Sequence, residues 1–473
     1  MQNLLVRPST STYSHAISLP SVTFLVLFSL VSLVIFFYNK TGYLASDLSF
    51  LLNLLYVILG LGLLLSSSKK SLLTSVYLVF FYTFFWLAPL LQTKTLRYPN
   101  TMSFDETLVV RTNLLFLFFG VCFFFFRYVL ARRSRSMYTF RDLNYWPGRT
   151  TALFYVMVSL ILLLLFYRSL ISSLTMRQSG LNLLRSESLI LSKFLYSIPL
   201  FLVYYVILDD RIQKSKYRWV LLLAALLVAF IFKNPLNEKR NAVGPIYLSF
   251  LFVFFRSRFK TNLVYVLLLL LILSIAFPIA QAFTHNKTVV VSDLFQTLES
   301  AIERFDIRRS FTSLDYDSWS MAMATIEYVD IFGTTYGRQL AGAFLFFVPR
   351  SIWQNKPVGS GHLVATEYLM VQLTMWFTNL SNSFPSEGYI NFGLIGVLLF
   401  ALMLAILSMI TDEFEKHNDL RIVFAVYTSF HMVFMLRGDL MSSLAYLIGV
   451  LIAIFLLPVL LANSRRSIII GKY

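Results

Sequence analysis

The stretch Phe346-Phe347-Val348-Pro349-Arg350-Ser351-Ile352-Trp353-Gln354-Asn355-Lys356-Pro357, then Gly359-Ser360-Gly361-His362, then Pro385-Ser386-Glu387-Gly388-Tyr389-Ile390-Asn391-Phe392-Gly393, decides how the chain divides. It belongs to the one long region, 284–387, that mixes aromatic, basic, proline and glycine residues instead of running apolar. On both sides the sequence is apolar in blocks close to the roughly twenty residues a helix needs to cross a hydrocarbon core.

Working outward, such blocks fall at about 18–38, 47–67, 71–91, 107–130, 150–172, 188–208, 218–233, 242–255, 262–283, 388–410, 420–436 and 440–462. The expected fold is therefore an all-α polytopic membrane protein of about twelve transmembrane helices. Residues 1–283 supply nine, 284–387 form one large loop between spans nine and ten, and 388–473 supply three and a short tail. The blocks at 218–233 and 242–255 are the shortest.

Composition agrees. The 473 residues are 58% hydrophobic and only 13% charged, with a mean hydropathy of +0.71, whereas a soluble domain is about a quarter charged. A net charge of +17 in a soluble chain would suggest nucleic acid. Here it is better explained by topology and by anionic phosphate at a lipid surface. Cys122 is the single cysteine, so no intrachain disulfide is available. The first twenty residues carry no signal-peptide pattern, so an uncleaved chain is expected.

The short loops set the orientation. With a cytoplasmic N-terminus, most short-loop Lys and Arg fall inside, led by Arg127, Arg132, Arg133, Arg135, Arg141 and Arg149. Both termini are then cytoplasmic and the long loop faces outward, away from ATP and nucleotide sugars. Within that loop, Asp293 can cap an amphipathic helix carrying Leu294, Leu298, Ile302 and Phe305 on one face. Leu340–Val348, closed by Pro349, reads as a re-entrant or interfacial helix, and 366–380 as a second.

Chemistry-bearing residues gather at the outer ends. Arg350 and Lys356 bracket Trp353 and precede His362. Guanidinium and ammonium groups grip phosphate oxygens and an indole stacks on a sugar, although the same residues also serve as interfacial anchors. Arg437 and Asp439 occupy a tight turn, as a functional site or a self-satisfying ion pair. Lys233, Lys239 and Arg240 lie outward against the charge rule, through attraction to an anionic substrate or as part of a packed turn. Glu387 opens a span, either compensating the helix dipole or acting as a general base. Asp315-Tyr316-Asp317 resembles a metal-binding acidic pair but reads as solvated loop or helix start. His431, alone in an apolar span, reads as a hydrogen-bonded packing residue. No metal-ligand spacing, nucleophile elbow or Walker loop is present, so no metal and no cofactor are expected.

Pro349-Arg350-Ser351-Ile352-Trp353 with Lys356-Pro357, Ser386-Glu387-Gly388-Tyr389 leading into Asn391-Phe392-Gly393, and Arg437-Gly438-Asp439 together resemble the Wzy-type oligosaccharide repeat-unit polymerases of O-antigen and capsule synthesis. The resemblance covers about the last 140 residues by motif and the whole chain by span count. It implies a GT-C-like membrane glycosyltransferase of the bacterial cytoplasmic membrane, active on the outer leaflet. Its substrates would be undecaprenyl-pyrophosphate-linked glycans, with a chain-length regulator and a flippase as partners and no nucleic acid. By position, Arg240, Arg350 and Arg437 match the outer-face arginines of such enzymes. Lys239, Lys356, Trp353 and Asp439 join them as substrate-binding candidates. Glu387 and His362 are acid–base candidates on their own chemistry. The three arginines are expected to converge on one diphosphate. A ligase-like glycan transferase and a flippase or other transporter of lipid-linked sugars are the alternatives.

Overall fold

The computed structural model describes residues 18–133, 143–175, 193–235, 238–280, 294–303 and 305–470, and among these every regular element is helical. Among the described residues nine helices are long and apolar enough to cross a bilayer: Leu19–Asn39, Leu44–Ser66, Leu72–Thr95, Glu106–Arg132, Arg149–Ile171, Asn262–Ile279, Phe384–Phe414, Leu420–Arg437 and Leu440–Ser464. Helices suit that setting because they satisfy their own backbone groups. The chain is an α-helical multi-pass membrane protein.

The other three of the twelve expected spans are shorter apolar helices, Leu195–Leu208, Arg218–Phe232 and Arg240–Phe254. Fifteen helical residues rise only roughly 22 Å, against a core of about 30 Å. Local chemistry sets those limits. The first is a 3-10 turn joined to a helix at Pro199, and it is stopped by Asp209, whose carboxylate accepts the N–H groups of Arg211 and Ile212. Pro235 follows the second, and Pro245 interrupts the ladder of the third.

At the centre stands the Leu72–Thr95 helix, buried from Ser71 to Thr93. Its aromatic residues pack in every direction: Phe84 on Tyr316, Phe85 on Phe116, Tyr82 on Trp86. The outermost helices instead expose Leu27, Val34, Leu164 and Leu165, as lipid-facing surfaces do.

Polar contacts sort the helix ends into two groups. At one end, Lys70 Nζ donates to the Phe259 carbonyl, Ser71 Oγ to Asp412, Tyr265 Oη to Glu415, and Leu420 N–H to the Tyr145 carbonyl. At the other end, Gln92 Nε2 donates to the Phe311 and Tyr316 carbonyls, Asn100 Nδ2 to Ser320 and Leu440 N–H to Glu387. Arg111 pairs there with Asp330. These are the Asp412 end and the Glu387 end of the bundle.

The long loop is folded onto the Glu387 end. The Ser318–Phe332 helix is buried over its first nine residues, and Trp319 sits against Phe50 while its Nε1 donates to Asn113 Oδ1 at 2.9 Å. Leu294–Glu303 is a helix with Leu298 and Ile302 exposed. Its expected cap, Asp293, lies outside the described residues. The helix expected over Leu340–Val348 is Arg338–Phe344 and ends five residues before Pro349. That expected at 366–380 is displaced to 360–372, with Thr374 beyond its end at a φ of 54°. The tenth span begins earlier than expected, at Phe384, and breaks at Phe392 and Gly393, where φ is 62°. Across the break the backbones of Gly388 and Gly396 touch; a Cβ on Gly396 would lie 1.9 Å from the Gly388 carbonyl oxygen. Only glycine permits that approach. Residues 384–391 thereby form a separate short helix that carries Glu387.

Candidate functional site

The site starts from an acidic turn. Asp315-Tyr316-Asp317 was expected to be solvated loop or helix start; Asp317 does stand at the N-cap position of the Ser318–Phe332 helix, but Tyr316 is fully buried and Asp317 is 2% exposed. Tyr316 is the anchor: its ring stacks on Phe84 with centroids 4.5 Å apart, and its Oη donates to the Leu273 carbonyl at 2.8 Å. Gln92 Nε2 holds the Phe311 and Tyr316 carbonyls at 2.8 and 2.9 Å. With the tyrosine pinned, the flanking carboxylates face sideways into two arginines.

Arg240, at the start of its helix, forms an ion pair with Asp315. It donates to the Phe277 carbonyl at 3.0 Å and lies 4.3 Å over the Phe277 ring. Arg437, the last residue of its helix, donates Nε–H to the Asp315 carbonyl at 2.6 Å and Nη2–H to the Leu314 carbonyl at 3.0 Å. The same nitrogen lies 3.5 Å from Asp317 and 4.0 Å from Asp315. Two guanidiniums from separate helices thus share one acidic turn. Burial pushes Asp317 above the usual aspartate range, although Arg437 and the Ser381 hydroxyl and N–H pull it back.

From Asp317 a chain of polar groups leads to Glu387. Ser381 Oγ donates to Asp317 Oδ1 at 2.6 Å and Ser381 N–H to Oδ2 at 3.1 Å. The neighbouring Asn382 donates Nδ2–H to Ser360 Oγ at 3.0 Å and accepts from Thr325 Oγ1 at 3.0 Å. Ser360 Oγ donates to Glu387 Oε1 at 2.5 Å, and the Leu440 N–H donates to the same oxygen at 2.9 Å. Glu387 lies in the first turn of its helix, as expected, but is buried more fully than the partial burial anticipated for a base there. It is 2% exposed, because the glycine-permitted fold turns its short helix inward.

Asp439 accepts the Met441 N–H at 2.8 Å as the cap of the last helix. It also stands against the 359–361 loop: a Cβ on Gly359 would fall 1.6 Å from Asp439 Oδ2. Burial raises Asp439, with the Met441 and Ser442 N–H groups, Lys193 and His362 opposing the shift. Arg437 and Asp439 do not pair with each other; each turns to a different partner. Among the described residues neither Glu387 nor Asp439 has an ion-pair partner, and the first charge acting on Glu387 is Asp439. Two acids therefore sit together on hydroxyl and backbone donors, the environment in which one carboxyl keeps a proton.

The structure brings together Arg240, Arg437, Asp439, Glu387 and His362. It keeps the others apart. Arg350 is exposed, and its Nη1 donates to the Lys356 carbonyl at 2.8 Å. Lys356 Nζ is spent on the Phe346 and Val348 carbonyls at 2.6 and 2.9 Å, and burial followed by Arg350 lowers its pKa. Trp353 is half-buried and Lys239 exposed. Among the described residues no contact joins Arg350 to the other two arginines, so the expected three-way convergence is two-way. Sequence reading missed Ser360, Asn382, Ser381, Lys193 and the role of Asp315 and Asp317. The only signal available was an aromatic flanked by acids, which marks a turn anchored through its middle residue.

No protein-family model, curated protein or solved structure matches the chain. No group of three or more His, Cys, Asp or Glu able to hold a metal occurs among the described residues.

Proposed function

We propose that this chain polymerises oligosaccharide repeat units carried on a polyprenyl diphosphate, as the Wzy-type resemblance implies. In this reading it crosses the bacterial cytoplasmic membrane about twelve times in a GT-C-like arrangement, with both termini inside and the Glu387 end outward. The three short helices count as crossings in this reading, on the span count that the resemblance implies. The observation that carries the reading is the meeting of Arg240 and Arg437 on one turn, linked through the adjacent Ser381 and Asn382 to buried Glu387, which has no ion-pair partner among the described residues.

The chemistry follows from where charge develops. The anomeric C–O bond of the donor breaks, and its electron pair leaves on the diphosphate. Arg240 and Arg437 stabilise that anion in a site shielded from water. The acceptor hydroxyl forms the new C–O bond and gives its proton to the Glu387 carboxylate. Ser360 and the Leu440 N–H hold Glu387 in place, and Asp439 discourages its neighbour from ionising too readily. The Gly359–His362 segment covers this acid and has to shift to admit the acceptor. Arg350, Lys356, Trp353 and Lys239 act further out, on the glycan or the lipid headgroup. Undecaprenyl is the carrier the resemblance suggests, with a chain-length regulator and a flippase alongside.

The test is reconstitution. Purified protein in lipid, given diphosphate-linked repeat units, should yield a ladder of lengthened glycans that Arg437→Ala abolishes. Transfer of intact glycan to another acceptor without lengthening would instead identify a ligase. Vectorial movement of the lipid-linked unit without bond formation would identify a transporter.

A further inference from the structure

The two arginines of the proposed diphosphate site are already neutralised. Arg240 and Arg437 bring two positive charges, Asp315 and Asp317 bring two negative ones, and all four are at least mostly buried. Inserting a multiply charged anion into such a neutral cluster costs desolvation without net attraction. The cluster has a built-in exit from that difficulty. Asp315 Oδ2 is buried with no hydrogen-bond partner, and Asp317 has alternative donors in the Ser381 hydroxyl and N–H. The turn itself stays fixed through Tyr316 and Gln92.

We propose that Asp315 and Asp317 are place-holding counter-anions, exchanged for a phosphate-bearing ligand at Arg240 and Arg437, and that this exchange takes up protons. The inference rests on the diphosphate reading of this site and deepens it. In the empty site the carboxylates lie where phosphate oxygens bind, so the guanidiniums are held in geometry for the ligand. When an anion takes the arginines, the carboxylates lose their cations beside a new negative charge, and protonation relieves the repulsion. The titratable and charged groups facing them are Arg240 from one helix, Arg437 from another and Tyr316 between them. The two arginines favour ionised carboxylates only while they remain free of ligand, neutral Tyr316 donates elsewhere, to the Leu273 carbonyl, and each acid opposes ionisation of the other.

The sign follows. Ligand binding raises proton affinity, so lower pH favours binding until the empty site is itself protonated. The anchoring of the turn through Tyr316 and Gln92 means that the response belongs to the carboxylates and not to refolding of the loop.

The experiment is equilibrium binding of inorganic diphosphate and of sulfate, a probe whose charge does not change with pH, to the full chain in lipid nanodiscs. Wild-type affinity for sulfate should strengthen several-fold as pH falls from about 8 to about 5. Asp315→Asn should bind diphosphate about tenfold more tightly at neutral pH, with a flattened pH response, and Asp317→Asn should follow the same direction. Asp315→Ala serves as the second variant, since it removes charge without a new polar group. Unchanged or weaker binding in both Asp315 variants, with a pH-independent wild type, would overturn the place-holder role while leaving the arginine site intact. Absence of binding by folded wild type to either probe would overturn the diphosphate reading and this inference together.

Discussion

Both ends of the bundle bury charge, but they do so differently. At the Asp412 end, Arg127 pairs with Asp412, and Asp412 also accepts from Ser71. Glu415 accepts from Tyr265 and from the Leu72 N–H. Each carboxylate is tied to a neighbouring helix by residues lying within or at the edge of the helices themselves. At the Glu387 end the charges come from helix termini and from the long loop, two arginines crowd one turn, and Glu387 and Asp439 lie together with no ion pair to either among the described residues. The first arrangement is a brace; the second pairs its arginines with carboxylates that an anionic ligand could replace. Buried charge of that kind is retained where function needs it.

The sharpest way to break this comparison is to remove one arginine from each end. Arg437→Ala should lower glycan lengthening per folded molecule by about 10²–10³-fold, the cost of losing one donor to a developing anion. Its melting temperature should fall as well, because buried Asp317 loses an ion-pair partner. Arg127→Ala should cost stability alone. Deleting one member of a buried pair costs up to about 3 kcal/mol, discounted because both side chains keep about a fifth of their surface exposed. Activity per folded molecule should then survive. If both variants lose activity equally per folded molecule, the two ends are not functionally distinct.

Glu387→Gln comes next. The amide oxygen can still accept from Ser360 and Leu440, so the fold is expected to hold while lengthening falls about 10²-fold or more through loss of the base. A ladder at wild-type rate in this variant would reassign the proton acceptor, with His362 first in line.

Asp439 then tests the Glu387 end by pH. Its folded value lies above the ordinary aspartate value of 3.8 because burial dominates. Between those two values the folded state binds more protons than the unfolded, so stability falls as pH rises through that window and stays reduced above it. Asp439→Asn should raise the melting temperature at neutral pH by a few degrees and flatten its pH dependence. A thermal scan of wild type and variant from mildly acidic to neutral pH checks this, and a variant less stable at neutral pH would refute it.

These contrasts also explain what sequence reading reached. Apolar blocks announced every long helix, because burial in lipid requires about twenty apolar residues whatever their partners. His431 was legible for a similar reason: a lone imidazole in an apolar helix must find donors or acceptors, and it meets the Ser443 carbonyl at 2.8 Å. The acidic turn was not legible. Asp315 lies 75 residues from Arg240 and 122 from Arg437 in sequence, and nothing local in Ser313–Asp317 says that arginines will arrive. The full burial of Glu387 was not legible because it depends on the Gly388–Gly396 approach, a tertiary event that the glycines permit but do not announce. The three short helices fell between the criteria, apolar enough to join the bundle and too short to pass on length.

The smallest effect is expected at Arg350, and it tests the geometry most finely. Its guanidinium is exposed and anchored to the Lys356 carbonyl within its own loop, so in this conformation it cannot help the pair on Asp315. Arg350→Ala should then lower lengthening less than about tenfold, by weakening capture of the anionic headgroup at the surface. The loss should shrink as salt rises, because exposed charges are screened over about 10 Å or less. A loss as deep as that of Arg437→Ala, and insensitive to salt, would mean that the 346–357 loop closes over the bound diphosphate. Arg350 would then join the buried pair only in the loaded state. Crosslinking between Arg350→Cys and Asp439→Cys, with and without inorganic diphosphate, distinguishes the two cases, since only loop closure makes the bond form faster when the anion is bound.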